Sequence, residues 1–165
     1  MSVLTAKRRE ARCESLTFSE TLHDMLIDLM RRNFGIKDVD DFVRVQYARG
    51  RIANEDFAYY RWQLQKRKEN IEQYASRLTS NLRAAWFRYP TTMHEYELRR
   101  DAQNDAIANC KMIEKELQKV VDMFEVDINL FREHIKAIYR EIDLIKKWRQ
   151  RDNKIKSYLK GAASI

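Results

Sequence analysis

Glycine and proline are nearly missing from this sequence, with three Gly and one Pro in 165 residues. So few turn-formers exclude an all-β sandwich or barrel, whose many tight turns depend on them. Cysteine is scarce too: Cys13 and Cys110 are too few for a disulfide framework and too far apart for a zinc-finger spacing. No apolar run approaches the roughly 18 residues that a membrane-spanning helix needs. The basic cluster at Lys7, Arg8 and Arg9 is not followed by an apolar stretch, so the opening segment does not read as a secretory leader. What the chain does hold is 44% hydrophobic and 35% charged residues. That composition supports a core and argues against global disorder. The expectation is a single soluble domain over residues 1–165, reduced and cytoplasmic.

Helical periodicity is clearest in the second half. Thr92-Met93-His94-Glu95 has the form of a capping box, directly after the stop at Pro90. The helix it opens carries an apolar face through Tyr96, Ile107, Cys110, Ile113, Leu117, Val121 and Phe124. Asp127 then caps a last run in which Ile128, Phe131, Ile135, Ile138, Ile142, Ile145, Trp148, Asp152, Ile155 and Leu159 follow steps of three and four. Asp152 is the one polar member of that stripe. In the first half, Phe18, Leu22, Met25, Leu26 and Leu29 mark a helix ending near Asn33. Asn54 is the expected N-cap of a second helix with a stripe through Phe57, Leu64, Ile71, Tyr74, Leu78, Leu82 and Trp86. Between them, residues 34–53 read as an insertion in which Asp38 caps a short helix closed by Gly50. Four long helices joined by one long and two short connections predict an all-α, antiparallel up-down-up-down four-helix bundle, with the insertion between helices one and two.

Bundles of this kind can hold two metal ions on paired Glu-x-x-His motifs. Here one such pair exists, Glu20 with His23, while His94 and His134 lack a Glu three residues before them. No metal site or cofactor is expected. Cys13 lies between Arg12 and Glu14, Cys110 falls on an apolar stripe, and three scattered glycines build no phosphate loop. The sequence reads as non-enzymatic.

Charge is unevenly placed. Lys7, Arg8, Arg9 and Arg12 outweigh Glu10 in residues 1–12, a net +3. Residues 146–160 hold Lys146, Lys147, Arg149, Arg151, Lys154, Lys156 and Lys160 against Asp152, a net +6. Those two ends exceed the +7 of the whole chain, so the remainder is slightly acidic. In the expected bundle both ends share one pole with the turn that carries Arg83, Arg88, Arg99 and Arg100. Asp40, Asp41, Glu55, Asp56, Asp122, Glu125 and Asp127 collect at the other, against Arg31, Arg32 and Lys37. A single-sign basic pole attracts polyanions. The same cations near a helix C-terminus also favour the helix dipole and solubility with no ligand at all. The candidate nucleic-acid contacts are Lys7, Arg8, Arg9, Arg12, Arg88, Arg99, Arg100, Lys146, Lys147, Arg149, Arg151 and Lys154. Trp86, Phe87, Tyr89, Trp148 and Tyr158 lie near that pole, as stacking partners for bases or as packing. The run Phe57-Ala58-Tyr59-Tyr60-Arg61-Trp62 is apolar on too many sides for one core, which points to a homo-oligomer contact or to a face covered by the insertion.

Three short segments carry a family resemblance. They are Met1-Ser2-Val3 with Lys7-Arg8 and Glu10, Tyr89-Pro90-Thr91 with His94-Glu95 and Arg99-Arg100-Asp101, and a last helix ending in Arg151-Asp152 and Lys154. Together they resemble the small four-helix-bundle proteins related to the accessory variability determinant (Avd) of diversity-generating retroelements. The resemblance spans most of the chain outside residues 34–53. It implies a non-enzymatic protein that assembles as a pentameric ring with a basic surface, binds nucleic acid and partners a reverse transcriptase. That enzyme copies a template RNA, with errors at adenines, into cDNA that replaces a variable region. The alternative reading is a helical protein–protein interaction module without a nucleic-acid role.

Overall fold

The computed structural model describes residues 13–164. They form five α-helices: α1 (Glu14–Arg31), α2 (Val39–Ala48), α3 (Phe57–Phe87), α4 (Met93–Phe124) and α5 (Arg132–Ala162). Short 3-10 turns occur at Asn33–Gly35 and Ile128–Phe131, and no strand occurs among the described residues. The protein is all-helical, with its five helices packed together.

Local chemistry sets most boundaries. Thr92 Oγ1 accepts from the Glu95 N–H at 3.2 Å while Glu95 Oε2 accepts from the Thr92 N–H at 3.1 Å, the reciprocal cap that starts α4. Hydrogen bonds from Thr91 hold the Glu95 carboxyl below the usual carboxylate range. Asp38 caps α2 through the N–H groups of Asp40 and Asp41, as its position implies. Two boundaries differ from the expectation. The cap of α3 is Asp56, which accepts from the Tyr59 N–H at 3.0 Å, and not Asn54. Asp127 caps the 3-10 turn instead of α5, so Ile128 is exposed and the buried residue at that end is Phe131.

Side-chain pairs tie the long helices to one another. Ser19 meets Thr79, His23 meets Glu72 and Asn33 meets Lys68 across α1 and α3. Arg99 meets Asp152, Asn104 meets Arg149 and Glu114 meets Tyr139 across α4 and α5. Arg67 and Glu116 tie α3 to α4 at 2.7 Å, both buried. Glu14 and Ser15 of α1 meet Arg140 and Glu141 of α5. Leucine and isoleucine at three- and four-residue steps fill the space between, including Leu22, Leu26, Ile71, Leu78, Leu82, Ile113, Leu117, Ile138 and Ile145. Val120, not Val121, is the fully buried valine of α4. Cys13 is also core, 5% exposed.

The segment between α1 and α3 is ordered by burial. Asn33, Phe34 and Gly35 all have positive φ, and Phe34 is fully buried edge-to-face on Phe131, with ring centroids 6.2 Å apart. α2 then lies over the start of α3 and the end of α4: Phe42 packs on Tyr60 and Phe124, Asp40 pairs with Arg61, and Glu125 takes Arg51 and Gln46. This cover takes up Phe57, under Arg44, and Tyr60, but leaves Tyr59 and Trp62 exposed. At Gly35, φ is +82° and a Cβ would meet Leu130 Cδ1 at 2.9 Å. Gly35→Ala should therefore cost about 1–2 kcal/mol, read as a lowered midpoint in thermal unfolding. Gly50→Ala, also at positive φ but with open space around it, should cost less.

Candidate nucleic-acid interface

The C-terminal half of α5 lies beside the start of α4 and the turn that follows α3. That placement depends on a buried ion pair. Arg99 is 5% exposed, and its guanidinium grips Asp152 with two bonds, Nε to Oδ2 at 2.8 Å and Nη2 to Oδ1 at 2.9 Å. Gln103 donates a third bond to Asp152 at 3.0 Å. Arg99 Nη1 also reaches the Arg88 carbonyl at 3.3 Å, at the end of α3. The Arg99 guanidinium sits over the Trp148 ring, 5.0 Å from its centroid, and Trp148 meets Trp86 edge-on at 6.0 Å. One side chain therefore fastens α3, α4 and α5 together at this pole.

This geometry corrects one assignment. Arg99 offers no donor to a phosphate, because its fork is buried and occupied by Asp152. Trp148 is buried and Trp86 is half-buried against it, so these two indoles are packing and not stacking platforms. Arg100 is half-buried, with Nη1 shared among Tyr96 Oη, Asn153 Oδ1 and the Arg149 carbonyl. Arg149 is half-buried as well and bonds Asn104. Arg83 bonds Glu20 at 3.2 Å. Arg88 is exposed. Lys7, Arg8, Arg9 and Arg12 lie outside the described residues.

What remains is a cationic surface on α5. Lys146, Lys147, Arg151, Lys154, Lys156 and Lys160 are all exposed. None of them forms an ion pair with an acid among the described residues. Asp152 is the one acidic residue of the 146–160 stretch, and it is buried under Arg99. Every exposed charge on that stretch is therefore positive. The acids at the other end are engaged differently: Asp38, Asp56 and Asp127 cap helices, while Asp40 and Glu125 pair with Arg61 and Arg51.

Sequence inspection missed the Arg99–Asp152 pair, although a signal for it exists. In α4 the buried positions 96, 99, 103, 106, 110, 113, 117, 120 and 124 alternate steps of three and four. Arg99 and Gln103 thus sit on the core face, opposite the polar exception of the α5 stripe.

His23 Nε2 lies 2.8 Å from Glu72 and Glu20 bonds Arg83, so the Glu-x-x-His pair points to two different partners on α3. Among the described residues no group of three or more His, Cys, Asp or Glu is placed to hold a metal. Burial pushes the Cys110 thiol far up, with Glu141 adding to the effect, and burial likewise raises Cys13. Neither is an activated nucleophile. Among the described residues no helix is long and apolar enough to cross a membrane. Comparison with protein-family models, curated proteins and solved structures finds no match.

Proposed function

We propose that this protein is a non-enzymatic accessory factor that binds nucleic acid through the basic face of α5. The supporting architecture is read as an antiparallel up-down-up-down four-helix bundle of α1, α3, α4 and α5 in one domain, with residues 34–53 inserted as α2. The observation that carries this reading is the uniform sign of exposed charge over residues 146–160, produced when Arg99 buries the only acid there. A single-sign cationic strip without acidic partners among the described residues attracts a phosphate backbone, and phosphate contacts dominate nucleic-acid affinity. By its resemblance to the Avd-like family, the partner is a cytoplasmic reverse transcriptase of a diversity-generating retroelement with its template RNA or cDNA, and the assembly is a pentameric homo-oligomer.

The test is charge reversal of Lys146, Lys147, Arg151 and Lys154 to Glu. These four side chains are exposed and unpaired among the described residues, so helicity by circular dichroism should be retained. Anisotropy titrations with a generic RNA or DNA should show a loss of about tenfold or more near physiological salt. The log–log salt slope should shrink by up to about 3, at roughly 0.7–0.9 per phosphate contact. Reversing Lys111 and Lys115, nearer the middle of α4, should matter less. A folded pole variant that binds like the parent would falsify the reading.

A second reading, a protein interaction module, is supported by one observation. Tyr59 and Trp62 remain exposed on α3 with their rings 6.4 Å apart, after α2 has covered Tyr60. Exposed aromatic pairs of this kind are typical anchors of contact surfaces. Light scattering of the parent and of Trp62→Ala tests self-association through this face: an assembly that dissociates in the variant assigns the face to it, and a monomeric parent rejects that role.

A further inference from the structure

The basic strip leads into a groove. Tyr89, Pro90 and Thr91 of the α3–α4 turn form one wall, and Lys154, Ile155 and Tyr158 of α5 form the other, around a volume of about 400 Å³. Tyr158 is 76% exposed and Tyr89 65%, the two highest values among the exposed large apolar side chains. Neither hydroxyl has a partner among the described residues. Tyr96, one turn into α4, behaves differently: it is buried, and its hydroxyl bonds Asn153 and Arg100. The two groove tyrosines are thus not holding the fold together.

Charge decides what fits there. Lys147, Arg151, Lys154 and Tyr158 follow steps of four, three and four along α5, so they line one face over about 16 Å. All four are exposed. A row of cations ending at an apolar groove with two open aromatic faces matches a chain that alternates phosphates with flat, apolar-faced bases. A duplex offers phosphates but keeps its bases stacked inside. The geometry points to a seat for an unpaired nucleobase of single-stranded RNA or DNA, stacked on Tyr158 and Tyr89, with the flanking phosphates on Lys154, Arg151 and Lys147. This inference rests on the nucleic-acid reading above and specifies the ligand of that same site.

The experiment compares the full chain with the double variants Tyr89→Ala/Tyr158→Ala and Tyr89→Phe/Tyr158→Phe, with circular dichroism as the folding control. The probes are labelled single strands of about ten nucleotides, within the usual site sizes, as RNA, as DNA and as an abasic strand of equal charge. The alanine variant should bind the base-bearing strands roughly five- to hundredfold more weakly, as expected when base–aromatic stacking is lost. It should bind the abasic strand, and respond to salt, like the parent. The phenylalanine variant keeps the ring faces and should match the parent throughout. The RNA and DNA arms show which sugar the seat accepts. If the parent binds base-bearing and abasic strands equally and with a steep salt slope, the cationic strip stands and the base seat is rejected. A folded alanine variant that binds base-bearing strands at parental affinity rejects the seat as well. If the parent binds no strand at any salt, the nucleic-acid reading itself is overturned.

Discussion

Asp152→Ala should destabilise the protein by about 3–5 kcal/mol, because it leaves the Arg99 guanidinium buried without its counter-ion. Both side chains are 6% exposed, so water cannot replace the lost partner. Arg99→Ala should cost a similar amount, since among the described residues Asp152 would keep only the Gln103 bond. The double variant Arg99→Met/Asp152→Leu should recover most of the loss or exceed the parent, as replacements of buried ion pairs by apolar groups of similar volume often do. Urea denaturation midpoints at constant slope measure all three. The double variant also separates stability from function. It removes one positive and one negative charge, neither of them at the surface, so its nucleic-acid affinity should equal the parent's. An affinity loss in a stable double variant would mean that the pair positions the basic strip in a way that apolar packing does not reproduce. Additive losses in the two single variants, with no recovery in the double, would contradict the pairing.

That pair also marks where sequence reading stopped. Counting Lys and Arg finds the basic pole but treats all cations alike, so Arg99 enters as a phosphate contact when its position on the 96–99–103–106 face of α4 buries it. The apolar stripes of α4 and α5 were legible because most of their members are Leu, Ile, Val or Phe, which have no other use at those spacings. Polar members of the same faces were not. Arg67, Glu116, Glu141 and Asp152 are buried, and each is tolerated only because a partner on another helix meets it. Periodicity within one helix carries no information on that partner. Caps show the same division. The Thr92–Glu95 box is complete within four residues, so it could be read directly. The choice of Asp56 over Asn54 depends on Phe57 and Tyr60 meeting Arg44 and Phe42 of α2, a contact that exists only after the chain has folded back. Val120 over Val121 is likewise settled by the register continuing from Leu117.

Glu141→Gln should raise stability most at mildly alkaline pH and flatten the pH dependence of unfolding. Glu141 is fully buried on α5, with Oε1 accepting from Ser15 Oγ of α1 at 2.5 Å and Oε2 without a partner among the described residues. Burial pushes its carboxyl up from 4.5 to about 8, against the Ser15 hydrogen bond and the nearby Arg140 charge, both of which lower it, while Glu14 raises it further. The thiols of Cys13 and Cys110 are close enough to feel its charge. At neutral pH the folded protein therefore holds a proton that the unfolded chain has released. The unfolded state binds fewer protons, so stability falls as pH rises from the unfolded value of 4.5 through the folded value of about 8, and levels off above it. At 1.36 kcal/mol per pH unit, the loss across that window is of the order of 3–5 kcal/mol. Glutamine keeps an oxygen acceptor for Ser15 and has no proton to lose, so the variant should gain about 2–4 kcal/mol over the parent near pH 8, less whatever its extra N–H groups cost on burial. Near pH 5 the two proteins should be alike. His134, whose imidazole is pulled down by burial, titrates with the opposite sign in both, so it cancels in the difference. Urea midpoints of parent and variant between pH 5 and 9 measure that difference directly. A constant gap across the range would show that Glu141 is already ionised in the folded state, with its charge held by a partner other than Ser15.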